Sequence, residues 1–265
     1  MRRKGFQVLA VVLAAFSIGC ASTKKSAPAA AERNAPQANS NGPGDPWEGF
    51  NRKMFWFNEK VDIHFLRPVA VGWDFVMPDI VQTGIRNVFT NVRFPITFAN
   101  DLLQAKPLEA SKELGRFVLN STLGLGGMLD PATAIGLETN NEDFGQTLGY
   151  WGVPSGPYLV MPLLGPSNPR DLAGFAADSA SQPYTYFLAW YVNLALGTVN
   201  VVNTRARYIE EIDENRRTAL DFYSFQRNAY VNFRENLVND RAESADAETD
   251  GLYYFEDEDD DVGGP

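Results

Sequence analysis

The chain has 265 residues, 45% of them hydrophobic, with one His, one Cys and a formal net charge of −10. That length suits one large domain or two small ones. A zinc centre draws on several His and Cys ligands, and a nucleic-acid surface needs a basic patch interleaved with aromatics; the sequence offers neither.

The first predicted element is a secretory signal over residues 1–19. Arg2, Arg3 and Lys4 precede an apolar run over residues 6–18, the charged and hydrophobic parts of such a signal. It ends in Ser17-Ile18-Gly19-Cys20. Small-x-Gly-Cys is the form of a bacterial lipoprotein processing site, with Ser17 where Leu is usual. Cys20 is therefore expected to be acylated, palmitate included, and to become the mature N-terminus. Acyl chains anchor a protein to a membrane without spanning it. Ala21 and Ser22 follow the Cys; an Asp there would suggest retention at an inner membrane, so an outer membrane is expected.

Residues 20–44 are rich in Ala, Ser, Pro, Asn and Gly and read as a flexible tether, spanning roughly 25–30 Å on average. A folded domain is predicted over residues 45–241. Asp45-Pro46-Trp47-Glu48 offers an N-cap Asp, a first-turn Pro and Glu at the third position. Asn168-Pro169-Arg170-Asp171 repeats the pattern, and Asp130-Pro131 and Lys106-Pro107 carry parts of it. Ile80, Val81, Gly84, Ile85, Val88, Phe89 and Val92 make one helical stripe, and Leu114, Phe117, Val118 and Ser121 another. Residues 204–239 read as one long amphipathic helix, with or without a kink. No sustained period-2 alternation occurs, so the fold class is all-α. Residues 242–265 form an acidic tail expected to be disordered: residues 243–261 hold ten acids and no base.

Three stretches lack charge altogether: residues 117–129, 144–169 and 179–204. The last is long enough to test as a membrane span, but Pro183 opens it and Asn193, Asn200 and Asn203 interrupt it. Surface helices normally carry charge on one face. These segments are either the core of a soluble domain or the apolar rim of a body sunk into one membrane leaflet.

Catalytic groups are sparse. His64 is a lone His between Ile63 and Phe65. Glu142 and Asp143 pair two carboxylates, the minimum for glycoside hydrolysis, and leave open a peptidoglycan-active lipoprotein; a purely structural lipoprotein is the other alternative. The segment over residues 123–129, Leu-Gly-Leu-Gly-Gly-Met-Leu, is apolar and glycine-rich. A surface loop is ordinarily polar, so this one is either a buried helix–helix turn or a gate facing acyl chains. No cofactor or metal and no enzymatic activity are expected.

Several of these motifs, taken in order, resemble the MlaA (VacJ) lipoproteins. They are Asp45-Pro46-Trp47-Glu48-Gly49-Phe50-Asn51-Arg52, Arg67-Pro68-Val69-Ala70, Arg116-Phe117-Val118-Leu119-Asn120-Ser121-Thr122-Leu123-Gly124-Leu125-Gly126-Gly127, Phe144-Gly145-Gln146-Thr147-Leu148-Gly149, Gly156-Pro157-Tyr158 and Arg170-Asp171. The resemblance covers roughly residues 45–205. It implies an all-helical ring in the inner leaflet of a Gram-negative outer membrane, on the periplasmic side, with a central channel. It also implies association with a trimeric porin. Such proteins remove glycerophospholipids mislocalised to the outer leaflet and pass them to a soluble periplasmic carrier, which maintains lipid asymmetry. By matching motifs, Asn51 and Phe57 fall beside the channel, Gly124, Gly126, Gly127 and Asp130 in a gating loop, and Leu123, Leu125 and Met128 against lipid.

Because Cys20 is the sole thiol, Cys20→Ala is expected to yield an uncleaved or soluble precursor, scored by membrane fractionation and intact-mass measurement. A fully processed variant that still fractionates with the outer membrane contradicts the lipoprotein reading.

Overall fold

The computed structural model describes residues 45–240. The expectations for Cys20, the signal, the tether and the acidic tail lie outside the described residues. The elements in order are α1 (Glu48–Val61), a π-helical segment (Asp62–Leu66), α2 (Arg67–Val76), α3 (Asp79–Leu103), α4 (Pro107–Thr122), α5 (Pro131–Ala134) and α6 (Phe144–Tyr150). Strands β1 (Leu159–Met161) and β2 (Gly165–Ser167) follow, then α7 (Pro169–Ser181), α8 (Tyr184–Phe187), α9 (Trp190–Arg207), α10 (Ile209–Thr218) and α11 (Phe222–Val238). The fold is all-α apart from this two-stranded antiparallel ribbon. Its strands are too short to give a period-2 signal, so the sequence does not announce them.

Caps explain several boundaries. Asp130, Asp143 and Asn168 each accept a backbone N–H three residues on, at Thr133, Gln146 and Asp171, as N-cap side chains do. The first helix departs from expectation. It starts after Trp47 without a side-chain cap, and Asp45 instead accepts from the Trp47 amide at 3.1 Å and from Asn51 at 2.9 Å. Pro68, which has no N–H, lies two residues past the end of the π segment; the missing donor breaks the regular ladder there. The single long helix expected over residues 204–239 is three pieces. Ion pairs account for the fold-back: Asp213 binds Arg67 at 2.5 Å, and Arg216 binds Glu59 and Asp62 at 2.5 and 2.8 Å. The charge-free stretch over residues 179–204 also breaks, into α8 and α9. Among the described residues no helix is long and apolar enough to cross a membrane.

Packing runs round a closed circuit. It passes from α1 through the π segment to α2, α9, α3, α6, α11, β2 and β1, and β1 returns to α1. Among the described residues no extensive contact cuts across it; α4, α7, α8 and α10 each pack on one element of the circuit, and α5 packs on α4. The burial pattern inverts that of an ordinary globule. Buried polar and charged residues outnumber buried apolar ones, while Phe75, Ile80, Phe187, Trp190 and many others are exposed. The α3 stripe shows this directly: Ile80 and Val81 face outward, and Gln82 is buried. The small apolar cluster of Tyr158, Val160 and Tyr223 sits where α1, β1 and α11 meet.

Polar ties hold the joints. Asn51 donates to the Tyr158 carbonyl at 3.0 Å and accepts from the Val160 amide at 2.9 Å, joining α1 to β1. Arg205 of α9 binds Asp62 at 2.8 Å. Asn203 of α9 accepts from the Trp73 indole and donates to the Gln82 carbonyl, joining α2, α9 and α3. Thr147 donates to Asn100 at 2.7 Å between α6 and α3. Arg234 of α11 grips Asp143, the α6 cap, at 2.6 and 3.0 Å, and Asp171 of α7 at 2.9 and 3.0 Å. Burial alone would raise the Asp143 carboxyl, but Arg234 and the Gln146 N–H hold it down at about 2. Asp171 is lowered in the same way against its burial.

Arg234→Met leaves two buried carboxylates without their cation, a loss of about 3–5 kcal/mol, read as a fall in thermal midpoint. Because both carboxyls lie below their ordinary values when folded, their stabilisation is present at neutral pH. It is lost as pH falls from about 4 to about 2. The wild-type midpoint is expected to drop steeply over that interval and the variant's to drop less.

Candidate lipid-contacting site

The apolar glycine-rich segment leaves α4 and turns back within eight residues. Its backbone is closely self-bonded: Gly126 to Ser121 at 3.2 Å, Gly127 to Asn120 at 2.8 Å, and Leu129 to Gly124 at 2.9 Å. Leu125, Gly126 and Gly127 take successive left-handed conformations, with φ of 55°, 76° and 94°. Glycine suits such a run because it has no Cβ, and at Gly127 a Cβ would also strike Asn91 at 2.6 Å. Leu123, Leu125, Met128 and Leu129 are nonetheless exposed, Leu125 at 73%. A set backbone thus presents a fan of apolar side chains. The loop leans on α3, where Met128 overlies Gly84 and Asn87 donates to the Met128 carbonyl at 3.3 Å.

Asp130 fastens the far end of the loop. It accepts from Arg116 at 2.7 Å, from Asn120 at 2.9 Å and from the Thr133 hydroxyl at 2.7 Å. Burial pushes its carboxyl up; the donors from Thr133, Arg116 and Asn120 outweigh that and hold it below the usual range. The 117–129 stretch gave the loop away by lacking charge, but nothing in the sequence pointed to Arg116 as its anchor.

On α1, Phe57 is exposed and lines a hollow of about 530 Å³ with Arg52, Lys53, Met54 and Trp56. Asn51 has no accessible surface. Both ends of its amide are engaged with Asp45 and β1, which leaves no Asn51 surface to face a channel. Its role in this geometry is to tie α1 to the ribbon. The structure therefore does not bring the α1 residues into one site with the loop; the loop's anchors are Asn87 and Asn91 of α3 and Arg116 and Asn120 of α4.

The catalytic candidates are committed elsewhere. His64 is exposed, and its Nδ1 lies 2.8 Å from the Lys60 carbonyl oxygen. Asp143 is the α6 cap. Glu142, the other half of the candidate carboxylate pair, is buried; it accepts from Lys106 at 2.9 Å and from Gln104 at 2.6 Å. The two carboxylates serve separate ties and do not flank a cleft.

Behind α4 lies a carboxylate cluster that sequence reading missed. Asp101 is fully buried; one oxygen accepts from Asn140 at 2.6 Å and the other has no partner among the described residues. Burial, with Glu142 and Glu113 nearby and Lys106 opposing, raises its carboxyl to about 7. A raised folded-state value means the stabilising proton is present at low pH and lost as pH rises through about 7. Asp101→Asn keeps the Asn140 bond and removes the charge. It is expected to raise the thermal midpoint by about 2–4 °C per kcal/mol gained at about pH 8, and to change it little at about pH 3, below the ordinary carboxyl value.

Comparison with known proteins agrees with this architecture. The sequence profile of the MlaA lipoprotein family matches residues 43–237. The intermembrane phospholipid transport system lipoprotein MlaA of Shigella flexneri is 36% identical over 202 residues, covering 75% of this chain and 80% of that protein. Its counterpart from Haemophilus influenzae is 33% identical over 238 residues, covering 88% and 90%. A solved structure described as "Structural basis for maintenance of bacterial outer membrane lipid asymmetry" superposes with a TM-score of 0.67 at 35% identity, over 74% of this chain and all of that one. With the motifs, the helical circuit and these matches together, the chain belongs to the MlaA lipoprotein family.

Proposed function

We propose that this protein is a lipid-anchored component of the outer membrane, acylated at Cys20 and facing the periplasm. It removes glycerophospholipids mislocalised to the outer leaflet through a central channel and delivers them to a soluble periplasmic carrier, beside a trimeric porin. The observation that carries this reading is the inverted packing. A circuit of helices with polar joints and exposed Phe75, Ile80, Phe187 and Trp190 suits a body surrounded by acyl chains on its outer side. The relatives' name, intermembrane phospholipid transport system lipoprotein, supplies the cargo. Transport of this kind makes and breaks no covalent bond.

In this reading the loop over residues 123–130 is the gate. Its backbone is bonded to itself, so it moves as one flap hinged at Leu123 and Asp130. Leu123, Leu125 and Met128 touch lipid, and Gly124, Gly126 and Gly127 set the flap's shape. Phe57 lines the channel on α1.

A Cys pair at Gly84 and Met128 pins the flap to α3, where the two residues already touch. Outer-leaflet phospholipid is expected to rise in cells in which the pair is oxidised and to fall on reduction. Complete crosslinking with normal lipid asymmetry contradicts gating by this loop.

A further inference from the structure

A second cavity, of about 240 Å³, lies away from the gate, between the 155–158 loop, the start of α7 and the outer face of α11. Arg227, Val231 and Glu235 reach it from one stripe of α11, with Val238 a turn further on. From α7 comes Arg170, whose side chain is only 7% exposed. Burying a guanidinium is costly unless its donors are satisfied. Here the Nε donates to Asp171 at 3.0 Å, and the Nη groups donate to no acceptor among the described residues. Asp171 is itself shared with Arg234, Asn168 and Tyr230, so it does little to quench Arg170.

The end of the cavity carries both signs of charge. Arg170 Nη1 and Val238 lie together over Gly149, each about 2.9 Å from the place a Cβ would take there. Glu235 is one helical turn before Val238, and its carboxylate makes no ion pair among the described residues. A buried cation with spare N–H donors and a carboxylate that line the same cavity match a ligand that joins a phosphate to an ammonium over a short spacer.

We propose that this cavity is a headgroup subsite for a zwitterionic amino-phosphodiester lipid of the phosphoethanolamine type. Arg170 takes the phosphate, and Glu235 takes the ammonium as it leaves the cavity. Arg227 adds a second cation at the opposite end of the stripe, and Val231 and Val238 supply the apolar wall. The assignment rests on the lipid-transport reading above and adds headgroup preference to it.

The test uses the full-length protein in mild detergent, mixed with equal amounts of phosphatidylethanolamine and phosphatidylglycerol, with bound lipid read by mass spectrometry. Wild type is expected to enrich phosphatidylethanolamine about fivefold, the scale of one partly exposed ion pair. Glu235→Gln should bring the ratio near parity and Glu235→Lys should invert it. Glu235 is exposed and its side chain makes no hydrogen bond or ion pair among the described residues, so these variants keep the fold. Lipid bound at the same ratio in all three proteins overturns the subsite and leaves the transport reading intact. Absence of both lipids from wild type overturns the transport reading and the subsite with it. Inorganic phosphate that displaces both lipids equally from wild type and Glu235→Lys reveals a bare anion site and overturns the headgroup assignment.

Discussion

Arg234 holds two helix starts at once. Its guanidinium lies between Asp143, which caps α6, and Asp171, in the first turn of α7. Each carboxylate also faces the positive end of its own helix. The circuit of packed elements closes through this point, because α6 meets α11 here and α11 leads on to the ribbon. An ordinary domain would close over an apolar core. Here the only apolar cluster among the described residues is small, so directional ties do what bulk burial does elsewhere. Such ties are unforgiving: a lost partner leaves a charge or amide buried and unpaired.

The same logic repeats at the other joints. Asn51, Asn203, Thr147 and Arg205 each cross from one element of the circuit to the next. Their role as ties between elements is not visible in sequence, since single polar residues are common on helix surfaces. Their importance follows from the inversion of the packing. When apolar side chains face outward, the inward stripe is polar, and every inward group needs a partner. Hydrophobic periodicity marks a helix under these conditions but not which face is buried, as α3 shows with Ile80 exposed and Gln82 buried.

That distinction explains what was legible. Helix starts marked by Asn168-Pro169 and Asp130-Pro131 were readable because caps are local, as was the apolar loop, because missing charge is a property of composition. The breaks at Tyr208 and Ala219 were not, because no Gly or Pro marks them and the cause is distant: Asp213 reaches Arg67, and Arg216 reaches Glu59 and Asp62. Asp45 read as an N-cap yet serves Asn51, a competition between two acceptor uses that only the fold decides. The buried character of Asp101, Glu113 and Glu142 was equally hidden, since acids in helices and loops are usually solvated.

The gate and the polar joints also constrain each other. Asp130 fixes the end of the loop through Arg116, and Arg116 reaches the Leu137 carbonyl as well. From there the chain runs to Asn140, which spans Glu113 and Asp101, and on to Asp143 and Arg234. The segment between the loop and α6 is thus held by polar contacts along its length. A flap hinged at Asp130 can swing only against this fixed base. Its contacts with α3 are a long 3.3 Å hydrogen bond from Asn87, the van der Waals touch of Met128 on Gly84 and the close approach of Gly127 to Asn91. In the proposed gating these are the contacts an opening flap would have to break, carrying Leu123, Leu125 and Met128 with it.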